Sequence, residues 1–288
     1  MYTTRPAEFT YHRPSSVDEA VSLLAELDDA RPLAGGHSLL PAMKIRFSTP
    51  AALVDLASIP GLDAIERDDG GIRIGALATH AGVAASDAVR DGCPALAEAA
   101  ALIGDRQVRN RGTIGGSLAH ADPGADYPTV VKALEATITA VGAGGSREIG
   151  ADALFTGIFT TALEPGELIT SVRVPATASA AYVKHKHPAS GYAVAAVAAV
   201  VALDGGTCTS ARVVVGGVTG TPVLAEAAGA ALEGASPWED AIAAASAQVA
   251  GALGDAIGDT YASAAYRTHL ATVLARRALT TAFERAGS

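Results

Sequence analysis

The chain has 288 residues, of which 49% are apolar and 18% charged, and its formal net charge is −9 at pH 7. This composition predicts a folded, soluble protein and argues against nucleic acid as the main partner, because phosphate binding requires clustered Lys and Arg. The two cysteines exclude a disulfide framework and an iron–sulfur cluster, which takes about four thiolates, and they predict a cytoplasmic protein.

The first half of the chain predicts helices and strands that alternate without a regular rhythm. A helix is expected in "SSVDEAVSLLAELDD", because Ser16 can cap it and Glu19 can close a capping box. The next expected elements are strands in "RPLAG" and "AALVDLA", a hairpin in "LDAIERDDGGIRIGAL", a helical region from His80 to Ile103 broken at 92–94, a helix in "DYPTVVKALEA", and strands in "TITAVG" and "ELITSVRVP". This order predicts an α+β domain and not a doubly wound sheet.

The organisation changes after "PATASA", which predicts a hinge or a linker. The stretches "AAYVKHK", "YAVAAVAAVVAL" and "CTSARVVVGGV" predict three antiparallel strands. The second stretch is too short to span a membrane as a helix, which takes about 20 residues. We therefore predict two domains, residues 1–176 and 177–288, and divide the first into parts of about 1–57 and 58–176.

Helices are expected to complete the second domain. One begins at "SPWE", where Ser236 is the predicted cap, Pro237 the first helical residue and Glu239 the residue that closes a capping box. The last contains "YRTHLATVLARRAL". We interpret Tyr266 and Arg267 in this helix as structural, because leucines follow them at helical spacing.

Two glycine pairs carry the strongest functional signal, in "RPLAGGHSLLPAMK" (31–44) and "NRGTIGGSLAHADPGAD" (110–126). Glycine lets backbone amides approach a ligand closely, and consecutive amides form an anion-binding nest. The loops 34–38 and 113–117 are therefore expected to hold the two phosphates of a pyrophosphate. The hydroxyls of Ser38, Thr113 and Ser117 would add donors. Neither motif is GxGxxG, which excludes the fold of that fingerprint, and the alternative is that each pair is only a tight turn.

Taken together, "AGGHSLLPAMK" and "RNRGTIGGSLAHADPGADYP" resemble the flavin-binding medium subunit of the molybdenum hydroxylases, the xanthine dehydrogenase and aerobic carbon monoxide dehydrogenase family. The resemblance extends from "FTYHRPSSVDEAVSLL" to "AAYRTHLATVLARRAL". It implies an α+β fold with a two-part N-terminal FAD-binding domain of the PCMH type. A C-terminal domain of a three-stranded antiparallel sheet with helices would follow it.

The resemblance also implies that FAD binds non-covalently, with its pyrophosphate between the two glycine loops and Tyr192 close to the isoalloxazine ring. No acid–base pair in the sequence demands a catalytic role, so we assign no catalytic residue, and we assign no metal-binding residue. The implied cofactor-binding residues are Ala34, Gly35, Gly36, His37, Ser38, Thr113, Ile114, Gly115, Gly116, Ser117, Asp126, Leu168, Lys184 and Tyr192.

Four of these residues have simpler interpretations. Asp126 can cap the helix that it begins, and His37 can be a turn residue that donates to a carbonyl. Tyr192 can be an ordinary strand aromatic and Lys184 a solvated strand lysine. The run "KHKHPASGY" is also less basic than the family pattern around Lys184.

The function implied by the resemblance is electron transfer. A large molybdopterin subunit would oxidise the substrate, and a small subunit with two [2Fe–2S] clusters would pass the electrons to FAD in this chain. The complex would be a dimer of such heterotrimers, with NAD, a quinone or oxygen as the final acceptor.

Two alternatives belong to other classes of protein. "GGHS" also resembles the loop of covalent-flavin oxidases, in which case His37 would be the attachment point of a free-standing oxidase. The other alternative is a scaffold or binding module that has lost flavin.

Overall fold

The computed structural model describes residues 5–235 and 239–287, without the side chains of residues 239 and 240. Ser236 and Pro237 of the predicted helix start, and the side chain of Glu239, therefore lie outside the described residues. Among the described residues, no helix is both long enough and apolar enough to cross a lipid bilayer.

A small parallel sheet begins the chain. Its elements are β1 (Thr10–His12), α1 (Val17–Glu26), β2 (Ala30–Leu33), α2 (Leu39–Lys44) and β3 (Ala52–Asp55). The strand order is β1-β3-β2, and both pairings are parallel. The first glycine pair follows β2 directly, as predicted, and a 3₁₀ turn over 56–58 follows β3.

A larger antiparallel sheet comes next, with a group of helices inserted between its strands. The elements in chain order are β4 (Ile65–Asp68), β5 (Gly71–Gly75), α3 (His80–Ala85), α4 (Asp87–Gly92), α5 (Pro94–Leu102), α6 (Arg106–Arg109), α7 (Ile114–His120), α8 (Asp126–Ala133), β6 (Thr137–Gly142), β7 (Gly145–Gly150), α9 (Ala151–Leu154), β8 (Phe155–Gly157), β9 (Thr160–Thr161) and β10 (Leu168–Pro175). The strand order is β4-β5-β10-β6-β7, and β8 pairs with β9 in a separate small hairpin.

A second antiparallel sheet and its helices complete the fold. Its elements are β11 (Ala180–Lys186), β12 (Ala193–Asp204), β13 (Thr207–Gly216), β14 (Val223–Leu224), α10 (Glu226–Ala230), α11 (Glu239–Gln248) and α12 (Ala264–Ala286), with a 3₁₀ turn over 249–252. The predicted α+β class and meander of three strands are confirmed, and the short β14 extends the meander. The predicted domain boundary near residue 176 lies between β10 and β11 and stays a prediction, as does the division near residue 57.

The second sheet is covered on both of its faces. Ala196, Ala198 and Val214 pack with α5 and α8 in the largest core cluster. Ala195 and Val197 belong instead to a cluster formed with α10, α11 and α12. Because both faces of β12 are buried, the strand has a continuous apolar sequence without the polar alternation of a half-exposed strand.

The predicted start of α1 is confirmed with one change in detail. Ser16 Oγ accepts the amide of Glu19 at 3.1 Å, as expected for an N-cap. The Glu19 carboxylate, however, accepts from the amide and hydroxyl of Ser15, at 2.7 and 2.9 Å. The Glu19 carboxylate therefore binds Ser15, one residue before the predicted cap Ser16. The predicted break also holds, since α4 ends at Gly92 and α5 begins at Pro94.

His80 lies in the core beside the second glycine motif. Its amide donates to the carbonyl of Gly112 at 2.9 Å, and its ring lies 5.3 Å from the ring of Tyr127. Its side-chain Nδ1 has no hydrogen-bond partner among the described residues. Burial lowers the pKa of His80 from 6.5 to about 4.

We expect this buried histidine to make the protein acid-sensitive. Between pH 6.5 and 4 the unfolded chain binds a proton at His80 that the folded chain does not, so the free energy of unfolding falls as the pH falls through this window. From pH 7 to pH 5 the loss due to His80 is about 2 kcal/mol. Urea unfolding at both pH values, at one FAD concentration, should show a loss smaller by this amount in His80→Phe.

The control for this measurement is His269→Phe, which replaces an exposed histidine of α12. It should keep the pH dependence of the wild-type protein. Equal pH dependence in His80→Phe and the wild type would contradict the prediction.

Candidate functional site

The two glycine motifs meet in the structure with backbone against backbone. A Cβ atom on Gly35 would lie 2.1 Å from the carbonyl oxygen of Arg111, which leaves no room for any side chain. A Cβ atom on Gly116 would lie 3.6 Å from the Cβ of Ala34. The structure thus brings together segments that are about 80 residues apart in the sequence, and the glycines permit this contact. We call this contact the glycine junction.

The first motif is a turn with unused backbone donors. Gly36 has a φ of +72°, in the left-handed region that favours glycine. Among the described residues, the amides of the four residues from Gly35 to Ser38 have no hydrogen-bond acceptor. The exposed His37 ring donates from Nδ1 to the Gly35 carbonyl at 2.9 Å, as its interpretation as a turn residue predicts. This run of free amides is the donor set of an anion nest.

The second motif differs from the expected loop, because it begins a helix. Thr113 is the N-cap of α7, and its Oγ1 accepts the amide of Gly116 at 3.2 Å. The amides of Ile114 and Gly115 donate to the carbonyls of Ala78 and Ala76, at 3.1 and 2.9 Å. The prediction of a second free nest is therefore wrong, because neighbouring carbonyls and the cap already use these donors. The hydroxyls of Thr113 and Ser117 can still donate.

A cleft of about 450 Å³ opens at the glycine junction. Its walls come from the end of β2, the turn after β3, β5–α3 and the segment before α7; they comprise Ala34, Gly35, Ala57, Ser58, Ile59, Pro60, Asp63, Leu77, Thr79, Asn110, Arg111 and Thr113. Ser58 Oγ is buried and has no hydrogen-bond partner among the described residues. A buried hydroxyl without a partner in the wall of a cleft indicates that a ligand or water completes its hydrogen bonding.

Ser58, Asp63, Asn110 and Arg111 are cleft residues that sequence reasoning missed. Ser58 and Asp63 lie in "ASIPGLD", which has no motif, and only the folded chain brings them to the glycine junction. Asn110 and Arg111 are the first two residues of the second motif, just before the loop 113–117, and this proximity was the available signal. Leu168 was predicted at the site, but it is buried in a small cluster with neighbours such as Ile59, behind the cleft wall.

Asp126 is the centre of a buried polar cluster. Its carboxylate lies 2.7 Å from the Lys184 ammonium, and the Tyr182 hydroxyl donates to it at 2.6 Å. The side chains of Asp126 and Lys184 are only 4% and 1% exposed. Asp126 therefore does not cap α8 and Lys184 is not solvated, so both simpler interpretations are wrong. Burial raises the pKa of Asp126, and Lys184 and Tyr182 act against this rise.

Tyr192 lies at the far end of α7 from the glycine junction. Its ring packs on Gly124, where a Cβ atom would lie 3.2 Å from Tyr192 Cδ1, and the residue is 44% exposed. The seven residues of α7 separate Thr113 from the loop 121–125 over about 10 Å. Burial and the nearby Asp122 and Asp126 carboxylates raise the pKa of Tyr192. One aromatic face is thus held about a helix length from Thr113.

Both parts of the chain match families of known function. Residues 7–177 match the family model for the FAD-binding domain in molybdopterin dehydrogenase, and residues 180–282 match that for the carbon monoxide dehydrogenase flavoprotein C-terminal domain. The carbon monoxide dehydrogenase medium chain of Afipia carboxidovorans is 41% identical over 98% of this chain and 99% of its own length. Subunit alpha of the 6-hydroxypseudooxynicotine dehydrogenase complex of Paenarthrobacter nicotinovorans is 40% identical over 98% of this chain and 97% of its own.

Comparison of folds agrees with these matches. A chain of quinoline 2-oxidoreductase from Pseudomonas putida 86 superimposes with a TM-score of 0.94 and 33% identity, covering 99% of this chain and 100% of its own. The protein is therefore a flavoprotein of the two-domain type that serves molybdenum enzymes. The chain belongs to the family of FAD-binding medium subunits of the molybdopterin dehydrogenases, which includes the carbon monoxide dehydrogenase medium chains.

Membership of this family defines the chemistry of the chain. The chain is an oxidoreductase subunit, its own cofactor is FAD, and the molybdopterin and iron–sulfur centres belong to other subunits. Free amides at the glycine junction, the orphaned Ser58 hydroxyl and the adjoining cleft fit a phosphate-bearing cofactor. Among the described residues, no group of three or more His, Cys, Asp or Glu side chains is placed to hold a metal ion. The comparisons give no support to a covalent-flavin oxidase.

The close contact at the glycine junction predicts that Gly35→Ala weakens FAD binding. The new methyl group would collide with the Arg111 carbonyl and push the two motifs apart, and a loss of about 1.4 kcal/mol already lowers affinity tenfold. FAD titration of the purified protein should show at least this loss. Gly144→Ala is the control, because nothing lies within 4 Å of a Cβ there. Equal FAD affinity in both variants would contradict the prediction.

The buried ion pair predicts a large loss of stability in Lys184→Met. Removal of the ammonium leaves the Asp126 carboxylate buried and uncompensated, which costs about 3–5 kcal/mol. Urea unfolding should show this loss and a partial recovery in the double variant Asp126→Asn/Lys184→Met, which buries no charge. The exposed Lys186 on the same strand provides the control Lys186→Met. A Lys184→Met variant as stable as this control would exclude a structural ion pair.

Proposed function

We propose that this chain is the electron-transfer subunit of a molybdenum hydroxylase and that it binds FAD across the glycine junction. The observation that carries the proposal is the run of four free amides, Gly35 to Ser38, beside Thr113 and the cleft. Anion nests of this kind suit a pyrophosphate, which is the middle of the FAD molecule. The two ends of FAD would then extend in opposite directions from the junction.

Residues on the two sides of the junction suit the two halves of FAD. On one side the cleft offers apolar walls at Ile59 and Leu77 for a purine, and the Asp63 carboxylate and Ser58 hydroxyl for ribose hydroxyls. On the other side Tyr192 offers an aromatic face about a helix length away, suited to the flat isoalloxazine ring. His37, Ser38, Thr113 and Ser117 would orient the phosphates between them.

Asp126 and Lys184 support the flavin side of this arrangement from within. Their charges neutralise each other in the core, next to the loop on which Tyr192 packs. We propose that they fix this loop and that any contact with FAD is secondary. Bound FAD supplies the redox chemistry, and the residues of this chain bind it, orient it and shield it from water.

The proposed partners are a small iron–sulfur subunit that reduces FAD and a large molybdopterin subunit that oxidises the substrate, in a dimer of heterotrimers. The names of the relatives, "medium chain" and "complex subunit alpha", support a multi-subunit complex. Both cysteines are buried and stand alone, at 93 and 208, which suits a chain without clusters of its own. The cytoplasmic location stays a prediction from cysteine content.

The substrate of the complex would be set by the large subunit. Three similar proteins are named for carbon monoxide, 6-hydroxypseudooxynicotine and quinoline, although each has a chain that matches at least 98% of this one. Such chemically different substrates support a division of labour in which the large subunit binds the substrate and this chain only transfers electrons.

We expect the FAD to be non-covalent. After acid precipitation of the purified yellow protein, chromatography of the supernatant should find FAD, intact and close to one per chain. Colour that stays in the pellet, and is lost in His37→Ala, would instead establish covalent attachment at His37 and favour the covalent-flavin oxidase. FMN in the supernatant would contradict the use of the cleft by the adenosine half.

A further inference from the structure

Arg267 of α12 places a guanidinium group inside the second domain. The residue is 7% exposed. Its Nη1 donates to the carbonyls of Val194 and Gly217, at 2.9 and 2.7 Å, and its Nη2 donates to the Asp259 carboxylate. One side chain thus joins the start of β12, the end of β13 and the segment before α12.

Asp259 extends this connection to the turn that follows it. Its Oδ1 accepts the amides of Tyr261 and Ala262, at 2.9 and 2.8 Å. The Tyr261 ring in turn meets the His187 ring edge-on, with ring centres 4.4 Å apart. The turn that Arg267 holds through Asp259 therefore supports His187.

His187 and Val194 lie on either side of Tyr192. The His187 amide donates to the Tyr192 carbonyl at 2.8 Å, and the His187 carbonyl accepts the amide of Gly191 at 2.9 Å. Val194 is two residues beyond Tyr192, and its carbonyl is bound by Arg267. We call residues 187–194 with the turn 259–262 the Tyr192 platform. Arg267 holds this platform directly at one end and through Asp259 and Tyr261 at the other.

The Gly217 carbonyl connects the same guanidinium to the loop beneath the Tyr192 ring. The Gly217 amide donates to the carbonyl of Pro123 at 3.1 Å, and the amide of Ala193 donates to that of Gly124 at 3.0 Å. Gly124 is the residue on which the Tyr192 ring packs. The loop at Pro123 and Gly124, on which the Tyr192 ring packs, is therefore hydrogen-bonded to two of the segments that Arg267 joins.

An arginine suits this position for a geometric reason. Its planar fork presents several donors in fixed directions, whereas lysine has a compact ammonium on a flexible stem. Burying a charge is unfavourable unless it is paired and hydrogen-bonded, and Asp259 provides the pair here. The buried guanidinium loses part of its hydration energy, and its hydrogen bonds fix the relative positions of the three segments that it joins.

We propose that Arg267 is a positioning residue, which holds Tyr192 at the angle and depth at which its ring meets the flavin. The inference rests on the proposed function, in which the isoalloxazine lies against Tyr192. It goes beyond the structural role that the helical spacing of Arg267 indicates, because it connects this side chain to the properties of bound FAD.

The test compares flavin fluorescence per bound FAD and the reduction potential of the FAD-loaded protein across matched variants. Tyr261→Ala loosens the platform at its surface, where the side chain is 46% exposed. Tyr266→Ala is the control, because Tyr266 is similarly exposed, at 45%, and lies next to Arg267 on α12 but outside the platform. Arg267→Lys keeps the positive charge but removes the planar guanidinium. Tyr192→Ala shows the full effect of losing the tyrosine ring.

We expect Tyr261→Ala and Arg267→Lys to raise the fluorescence and shift the potential in the same direction as Tyr192→Ala, with FAD content unchanged. Tyr266→Ala should match the wild type. The double variant Tyr192→Ala/Arg267→Lys should show no change in the flavin signals beyond Tyr192→Ala, because a positioning residue has no effect without the ring that it positions. If Arg267→Lys fails to fold, the comparison of Tyr261→Ala with Tyr266→Ala decides alone.

Three results would overturn the inference. One is a Tyr261→Ala signal equal to that of Tyr266→Ala, and another is additive effects in the double variant. The third is an unchanged signal in Tyr192→Ala, which also removes Tyr192 from the flavin site. Absence of FAD from the wild-type protein is a different failure, since it contradicts the proposed function itself.

Discussion

The contact between Gly35 and the Arg111 carbonyl is the constraint on which the site depends. Backbone meets backbone there because no side chain separates the two segments. This contact places the free amides after β2 next to the segment that leads to Thr113, and Gly35, Arg111 and Thr113 all line the cleft. The buried cluster that contains Val54, Leu56 and Leu168 also holds the small parallel sheet against the larger sheet, and the glycine contact adds the backbone contact that brings the free amides to the second motif.

A second set of contacts fixes the C-terminal sheet against the helices before it. Asp126 of α8 binds Lys184 and Tyr182 of β11, and Glu98 of α5 accepts the amide of Tyr182 at 3.0 Å. Buried charges lose hydration, so these contacts contribute less to stability than their number suggests. They fix β11 against α5 and α8. Because β11 pairs with β12, they also set the position of Tyr192 relative to the glycine junction.

Burial keeps three titratable side chains of the core in their neutral forms. Burial lowers the pKa of His80 to about 4 and raises that of Cys93 to about 12. Burial also raises the pKa of Tyr127 well above its usual range. These groups are therefore neutral at pH 7 and pack as core residues beside the site.

The amino-acid sequence by itself determined the class of fold, the meander and the family, because these depend on local patterns. The apolar run of β12, the break before Pro94 and the two glycine motifs are all short-range signals. Only the tertiary structure decided that the second motif starts a helix with occupied amides, since its acceptors, Ala76 and Ala78, lie far away in sequence. Likewise, Lys184 resembles any solvated strand lysine until folding buries it against Asp126. Packing between distant segments, and not local preference, sets which donors stay free and which charges are buried.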